Sequence, residues 1–521
     1  MNRRSVVLLS GFAIPFMWFS CSQQNQTVGS ESETGYNEKH RPQFHFSPAK
    51  NWMNDPNGMI YFDGEYHLFF QHDKYEKVFD NMSWGHAISE DLIHWKEYGK
   101  AIVPDGDSLG LIFSGSAVVD KDNTAGFGKN AFVSIYTNTH PQQQQSIAYS
   151  TDKGRTWTKY KNNPVIRNTQ DDDIPADFRD PKVMWHEATG KWVMSLAVKD
   201  HIEFWSSFNL RDWSKESEFG KTTGSHSGVW ECPDLFQLSV DGDTQRKRWV
   251  LLVSINPGGP NGGSATQYFV GDFDGRNFVV DENFGRNLGK EGRWVDYGSD
   301  NYAGVTWSNV PDRRIAIGWM SNWDYGMTAP TSPWRGAMTI PRTLKLVETG
   351  NSYFLASWPV EEFQSIYDSQ RKVVSRKQIT SSFDLSDLAT KNSMYELTLE
   401  LEGAVENGFI LELSNEIDQR VLIGFSPEGR RYFIDRTQSG NADFSKNFPG
   451  KHFGPRISKG DTIQLRILVD RSSVEVFADG GLTVMTDLFY PDKPFDRLAL
   501  RPLKGGIVIN EAILTGIKRI W

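Results

Sequence analysis

The sequence predicts an all-β protein, a five-bladed β-propeller followed by a C-terminal β-sandwich. Two patterns carry the prediction. A layout of strand, small polar turn and an aromatic residue opening the next strand recurs along the first part of the chain: Ser89–Trp95, Ser150–Trp157, Ser206–Trp213 and Gly271–Phe278. Its anchors Trp95, Trp157, Trp213 and Phe278 are separated by steps of 62, 56 and 65 residues; a loose period of that length, filled with short strands, reads as propeller blades. Later, Tyr395–Leu401, Phe409–Leu413, Ile463–Val469 and Val474–Phe477 alternate apolar and polar residues, the period of half-buried antiparallel strands.

In chain order, residues 1–21 read as a lipoprotein signal peptide. Arg3 and Arg4 precede a largely apolar run from Val6 to Phe19, too brief for a comfortable membrane span, and Ser20-Cys21 ends it. Cys21 is the expected lipidated residue, making the protein an exported lipoprotein anchored to a bacterial membrane. A periplasm-facing anchor is favoured, because no acidic cluster follows Cys21; outer-surface display stays open. Residues 22–39 are polar and read as a flexible tether. Residues 40–358 hold the five blades, the fifth marked by Asp300–Gly304 and Ile317–Trp323. Residues 359–372 are expected to link the domains, with a short helix over 360–370 opened by Pro359, and residues 373–521 to form the sandwich. Within them Asp479-Gly480-Gly481 is a hairpin turn. The glycine-rich run Gly258–Gly263 is too irregular for a phosphate loop and reads as a flexible blade connection.

Composition excludes several function classes. At 521 residues the chain is too long for one ordinary core. A formal net charge of −9, without a basic stripe, argues against nucleic acid and suits a neutral polysaccharide. The 18 Trp, 17 Tyr and 33 Phe are mostly core, leaving a few flat rings to meet the C–H faces of sugars. After Cys21 the sole cysteine is Cys232, so no intramolecular disulfide staples the mature chain. Paired-cysteine and His-Glu-x-x-His spacings are absent, and Asp171-Asp172-Asp173 lacks the ligand spacing of a calcium loop. Neither metal nor cofactor is expected, and the protein is expected to be a monomer.

Three acidic motifs carry the chemistry: Trp52-Met53-Asn54-Asp55-Pro56-Asn57-Gly58, Phe178-Arg179-Asp180-Pro181-Lys182 and Trp230-Glu231-Cys232-Pro233-Asp234. Singly, the first reads better as a surface turn, the second as a structural ion pair and the third as a solvated acid before a Pro turn. Their placement distinguishes them. Asp55 precedes Trp95 by 40 residues, Asp180 precedes Trp213 by 33, and Glu231 precedes Phe278 by 47; Ser114 of Phe113-Ser114-Gly115-Ser116 precedes Trp157 by 43. Each therefore opens the innermost strand of its own blade, where remote residues meet at the axis. A carboxylate against the ring and a protonated carboxyl beside the leaving oxygen are what cleavage of a glycosidic bond requires.

These motifs in this order, with Phe-Ser-Gly-Ser between the first two and Phe477-Ala478-Asp479-Gly480-Gly481 near the end, resemble glycoside hydrolase family 32, which holds invertases, inulinases, levanases and related fructosidases. The resemblance covers roughly residues 40–521 and implies a propeller and a sandwich. It implies Asp55 as nucleophile, Glu231 as acid and then base, and Asp180 beside Arg179 as the group that holds fructose hydroxyls and stabilises the transition state. Trp52, Asn54, Gln71, Trp84, Phe113, Ser114 and Trp323 are implied to line the fructose pocket, and Cys232 to tune Glu231. Asn54 and Asn57 are expected to keep Asp55 ionised, and Trp230, Cys232 and Pro233 to solvate Glu231 poorly and hold its proton. The implied reaction is hydrolysis of terminal β-D-fructofuranosyl units of levan or inulin, and of sucrose, with retention. Endo-acting cleavage, fructosyl transfer, a non-catalytic fructan-binding lipoprotein and a propeller glycosidase of arabinans or xylans are the alternatives; linkage and chain-length preference depend on loops and stay open.

Overall fold

The structure, a computed structural model, describes residues 35–521 apart from 105, 107–108, 169–175, 289–291 and 387–392, and, for 369–372, the backbone alone. The signal peptide with Cys21, most of the tether and the Asp171–Asp173 run lie outside the described residues.

Five four-stranded antiparallel units follow one another. Blade I holds Asn51–Phe62, Glu65–Asp73, Ser83–Ser89 and Lys96–Ile102; blade II holds Ile112–Asp120, Ala131–Asn138, Gln144–Ser150 and Thr158–Lys159. Blade III holds Phe178–His186, Lys191–Val198, His201–Ser207 and Ser214–Phe219, and blade IV holds Val229–Val240, Asp243–Asn256, Ala265–Phe273 and Phe278–Val280. Blade V holds Tyr302–Thr306, Arg314–Trp319, Arg342–Thr349 and Ser352–Pro359, and joins blade IV through the pairing of Val240 with Leu346. Trp334–Arg335 returns from blade V to pair in parallel with Asn51 and Trp52, closing the ring. The repeated aromatics do what their spacing implies. Trp95, Trp157 and Trp213 each immediately precede the outer strand of their blade, and Phe278 begins one; the indoles of Trp157 and Trp213 donate to the turn carbonyls of Gly154 and Leu210.

The last third is a sandwich of two six-stranded sheets. All four alternating runs are strands, and their inward residues, such as Leu397, Leu399, Leu411, Leu413, Ile467 and Val476, share one core. Asp479–Gly481 turns the chain between Ser473–Ala478 and Thr483–Leu488, and a Cβ on Gly481 would lie 2.1 Å from Ser357 O. Only glycine permits that approach of the hairpin to the last propeller strand.

Three segmental expectations need correction. The helix expected over 360–370 is a short 3₁₀ helix, Glu361–Ile366, and the first sandwich strand already runs Tyr367–Ile379 inside the expected linker; Tyr367 is recruited by a hydrogen bond to Glu396 (2.6 Å) and one from Arg466 (3.0 Å). The tether ends before Tyr36, whose ring stacks on Trp521 at 4.0 Å. Gly258–Gly263 is pinned, because Asn261 donates to Tyr297 O and Phe453 O and accepts from Phe453 N–H, tying blade IV to the sandwich.

Buried ion pairs join the two domains. Arg342 meets Glu475, Asp296 (2.8 Å) and Thr486 (2.7 Å); Arg436 meets Asp300 (2.5 Å) and Tyr325 (2.8 Å). His45 bridges Asp470 and Glu475 at 2.8 and 2.7 Å.

Candidate active site

Every innermost strand breaks its ladder near the residue it presents. The register slips between Met53 and Pro56, between Ile112 and Gly115, between the partners of Arg179 and Lys182, between Glu231 and Asp234, and between Tyr302 and Val305. Such bulges insert a residue and re-aim its side chain, and Pro56, Pro181 and Pro233, unable to donate to a ladder, fall within three of them. Asp180 and Cys232 adopt left-handed backbone, at φ +64° and +45°, conformations that cost a non-glycine residue energy and persist where the surroundings impose them. The acid-proline pattern in the sequence is therefore the local device that turns these side chains to the axis.

The three acids converge. Cys232 Sγ lies 3.7 Å from Asp55 Oδ2 and 3.6 Å from Asp180 Oδ2, and the Cys232 N–H donates to Asp180 Oδ2 at 3.0 Å. Glu231, next in the chain, has Oε1 held by Arg179 Nε and Nη2 at 3.1 and 3.0 Å and Oε2 by the Tyr302 hydroxyl. Arg179 also pairs with Asp177 at 2.5 Å and approaches Asp180 at 4.0 Å. Asp55 accepts from Ser114 Oγ at 2.7 Å and from Asn54 Nδ2 at 2.9 Å; Asn54 in turn accepts from Trp52 Nε1 at 2.7 Å.

Asp55 and Asp180 are only 9% and 5% exposed, and burial dominates their electrostatics. It raises the Asp55 carboxyl above its usual range, helped by the Glu231 charge and opposed by Ser114, Asn54 and Cys232. Burial pushes Asp180 up to about 7, with Arg179 opposing and Glu231 and Asp55 adding to the rise. Burial works against the Arg179 charge too, but Glu231, Asp180 and Asp177 outweigh it and keep the guanidinium protonated. The Cys232 thiol and Tyr302 phenol, also buried among these acids, are driven well above their ordinary values and stay neutral. Acids this close share protons as a set rather than titrating one by one.

The other expected residues divide by exposure. Arg179, Phe113 and Trp323 are partly exposed, and Phe79, which the sequence reading missed, lies between the last two, its ring 5.7 Å from Phe113 and 5.3 Å from Trp323. Trp52 is fully buried against Trp319 and Trp323. Trp84, expected to offer a face to sugar, is fully buried between Phe69 and Tyr136 and spends its indole N–H on Phe113 O at 3.0 Å; it positions Phe113 instead. Gln71 is 1% exposed, and its Oε1 has no hydrogen-bond partner. The expected support for the acids is also corrected. Asn57 faces Gln71 (3.1 and 3.2 Å) rather than Asp55, so Ser114 and Cys232 take its place. Trp230 packs on Phe269 and His226, and the groups on the Glu231 carboxylate are Arg179 and Tyr302. Alternation along the strand sends adjacent side chains to opposite faces. Tyr302 was legible only as a marker of blade V.

Among the described residues one cluster offers metal-ligand spacing: His201, Glu203 and Glu218, with ligand atoms within 4.8 Å. Lys215 bridges both of its carboxylates at 2.5 and 2.6 Å and Lys221 also pairs with Glu218, so a cation already occupies the charge a metal would use.

A propeller that gathers three acids from three blades into one buried cluster is the frame of a glycoside hydrolase. Residues 45–359 match the glycosyl hydrolases family 32 N-terminal domain and residues 362–512 the family 32 C-terminal domain; the chain belongs to glycosyl hydrolase family 32. It is 45% identical over 500 residues to a levanase of Bacillus subtilis (strain 168), spanning 93% of this chain and 72% of that protein. It is 41% identical over 488 residues to an extracellular exo-inulinase of Aspergillus niger, spanning 88% and 90%. The crystal structure of exo-inulinase from Aspergillus awamori superposes with a TM-score of 0.87 at 37% identity, covering 93% of this chain and all of that one.

Proposed function

We propose that this protein is a retaining β-fructosidase that releases terminal β-D-fructofuranosyl units from fructans, levan or inulin, and from sucrose. One observation carries the reading: Asp55 and Asp180 meet at the Cys232 thiol while Arg179 and Tyr302 fix Glu231 beside them. In the first step an Asp55 oxygen bonds to the anomeric carbon as the glycosidic C–O bond breaks; the bonding pair leaves with the oxygen, which takes the Glu231 proton. In the second, Glu231 removes a proton from water, whose oxygen displaces Asp55 and restores free fructose. Ser114 and Asn54 hold the nucleophile, and Asp180 binds hydroxyls of the fructosyl ring as positive charge develops. Phe79, Phe113 and Trp323 supply the apolar rim. Relatives named exo-inulinase and levanase support the substrate class and terminal attack. Export with lipid attachment at Cys21 rests on residues 1–21 alone, and a relative named as extracellular supports export.

Protein lacking residues 1–21 is to be incubated with levan, inulin and sucrose and the products resolved by length. Early accumulation of monomeric fructose is expected, and Asp55→Ala and Glu231→Ala are expected to fold normally with at least ~10²-fold lower turnover. Mixed oligomers as first products would overturn terminal attack, and wild-type turnover by either variant would overturn its assigned role.

A further inference from the structure

The innermost strands that present the acids continue past them, at roughly 3.3 Å per residue, to the other end of the propeller axis. There the later residues of the inner strands of blades II, III and IV and the segment after blade V's first strand line a separate cavity of about 730 Å³. None of Asp55, Asp180 and Glu231 lines it. Between the cavity and the three acids stands a polar plug: Lys182 Nζ donates to Thr306 O at 2.6 Å and pairs with Asp234 at 3.1 Å, and Asp234 accepts from Thr306 N–H and Oγ1 at 2.6 and 2.8 Å.

The cavity's chemistry is that of a sugar site. Trp185 and Trp249, both partly exposed, form its aromatic walls, and Phe236 and Trp307 its buried floor. Arg314 lies against Phe236, its guanidinium carbon 5.1 Å from the ring centroid. It makes no ion pair among the described residues, and its one hydrogen bond is a long 3.5 Å contact to Trp307 O. Burial lowers its pKa from the ordinary value, a cost that Asp234 only partly offsets. Most of its five N–H donors are left for a ligand. Exposed Gln237, Asn309 and Glu187 add amide and carboxylate groups at the mouth. Five carboxylates against three cations line the hollow, which repels an anion, whereas flat rings with mixed donors and acceptors suit a neutral polyol. The volume falls in the range of pockets that bury small ligands.

We propose that this opposite mouth is a second, non-catalytic oligosaccharide site, in which Trp185 and Trp249 stack on sugar rings and Arg314 donates to hydroxyls. It rests on the fructan reading above for the identity of the sugar. A polymer held there by one arm while another end meets Asp55 raises the local concentration of chain ends.

The test uses the full-length protein made inactive by Glu231→Ala, titrated calorimetrically with a β-2,1-linked fructo-tetrasaccharide. Two molecules are expected per chain, falling to one when Trp185→Ala or Arg314→Met is added; Trp185 is partly exposed, so its variant keeps the test alive if Arg314→Met fails to fold. In the active protein Trp185→Ala is expected to leave kcat and KM on sucrose unchanged and to raise KM for polymeric fructan threefold to tenfold. A stoichiometry of one in the Glu231→Ala protein, two sites surviving the added Trp185→Ala, or inorganic phosphate binding there in place of the sugar would overturn the second site. No binding at either place, together with no hydrolysis by wild type, would instead sink the fructan reading.

Discussion

Replacing Asp180 by Asn separates the demands of function from those of folding. Burial, with repulsion from Glu231 and Asp55, raises the folded Asp180 from 3.8 to about 7. Well below pH 3.8 the group is protonated in both states and costs nothing. As pH rises toward 7 the unfolded chain releases its proton while the folded chain retains it, so stability falls across that window and levels off above it. Three units at 1.36 kcal/mol each give a penalty of about 4 kcal/mol, an upper figure because neighbouring acids share the proton. Asn keeps an oxygen to accept the Cys232 N–H and removes the charge. Thermal unfolding of wild type and Asp180→Asn at pH 4 and pH 8 should therefore lie close together at the lower pH and separate at the higher, the variant melting several degrees later while fructose release falls by orders of magnitude. A variant no more stable at pH 8 than at pH 4, relative to wild type, would refute the assignment of this carboxyl as a strained acid.

Tyr302→Phe leaves Glu231 Oε2 without its hydroxyl donor; a net hydrogen bond is worth about 1 kcal/mol to the folded state, so melting should fall by a few degrees while kcat/KM falls about tenfold or more as Glu231 loses its fixed orientation. The Cys232 thiol, buried among acids that disfavour a thiolate, should resist iodoacetamide at pH 8 and react once the chain is unfolded in guanidinium, as mass spectrometry would read. Arg342→Met removes the guanidinium shared by Glu475 and Asp296 at the domain junction and should destabilise by about 3 kcal/mol in denaturant titration, the remaining donors to both carboxylates limiting the loss.

What the sequence made legible follows interaction range. Blade period, sandwich alternation and the hairpin at Asp479–Gly481 are set by contacts between near neighbours, and each is recovered. The acids were legible because each falls at the matching place in its repeat within a recognisable motif; the prolines beside them, which singly suggest turns, prove to sit at the bulges that aim them. Tyr302 and Phe79 were not, because their significance lies in partners dozens to hundreds of residues away: Glu231 for the first, Phe113 and Trp323 for the second. Trp84 was misplaced for the opposite reason. An aromatic residue on a blade strand reads the same whether its ring faces a pocket or a neighbouring strand, and here the Phe113 carbonyl captured it.

The junction between the domains bears directly on the site. Blade V supplies Tyr302, and its closure onto blade I relies on a parallel pairing of two residues, Asn51 with Trp334 and Trp52 with Arg335. Arg342 begins blade V's third strand, and its partners Glu475 and Thr486 belong to the sandwich; Gly481 presses the sandwich hairpin onto Ser357 of the fourth. Asp300, two residues before Tyr302, is gripped by Arg436 of the sandwich and by Tyr325. The sandwich thus fixes both sides of the blade that carries the Glu231 partner. A propeller stripped of its sandwich would keep the motifs bearing Asp55, Asp180 and Glu231 yet lose the contacts that constrain Tyr302, so the docked sandwich is a condition for the geometry around Glu231 and not only for stability.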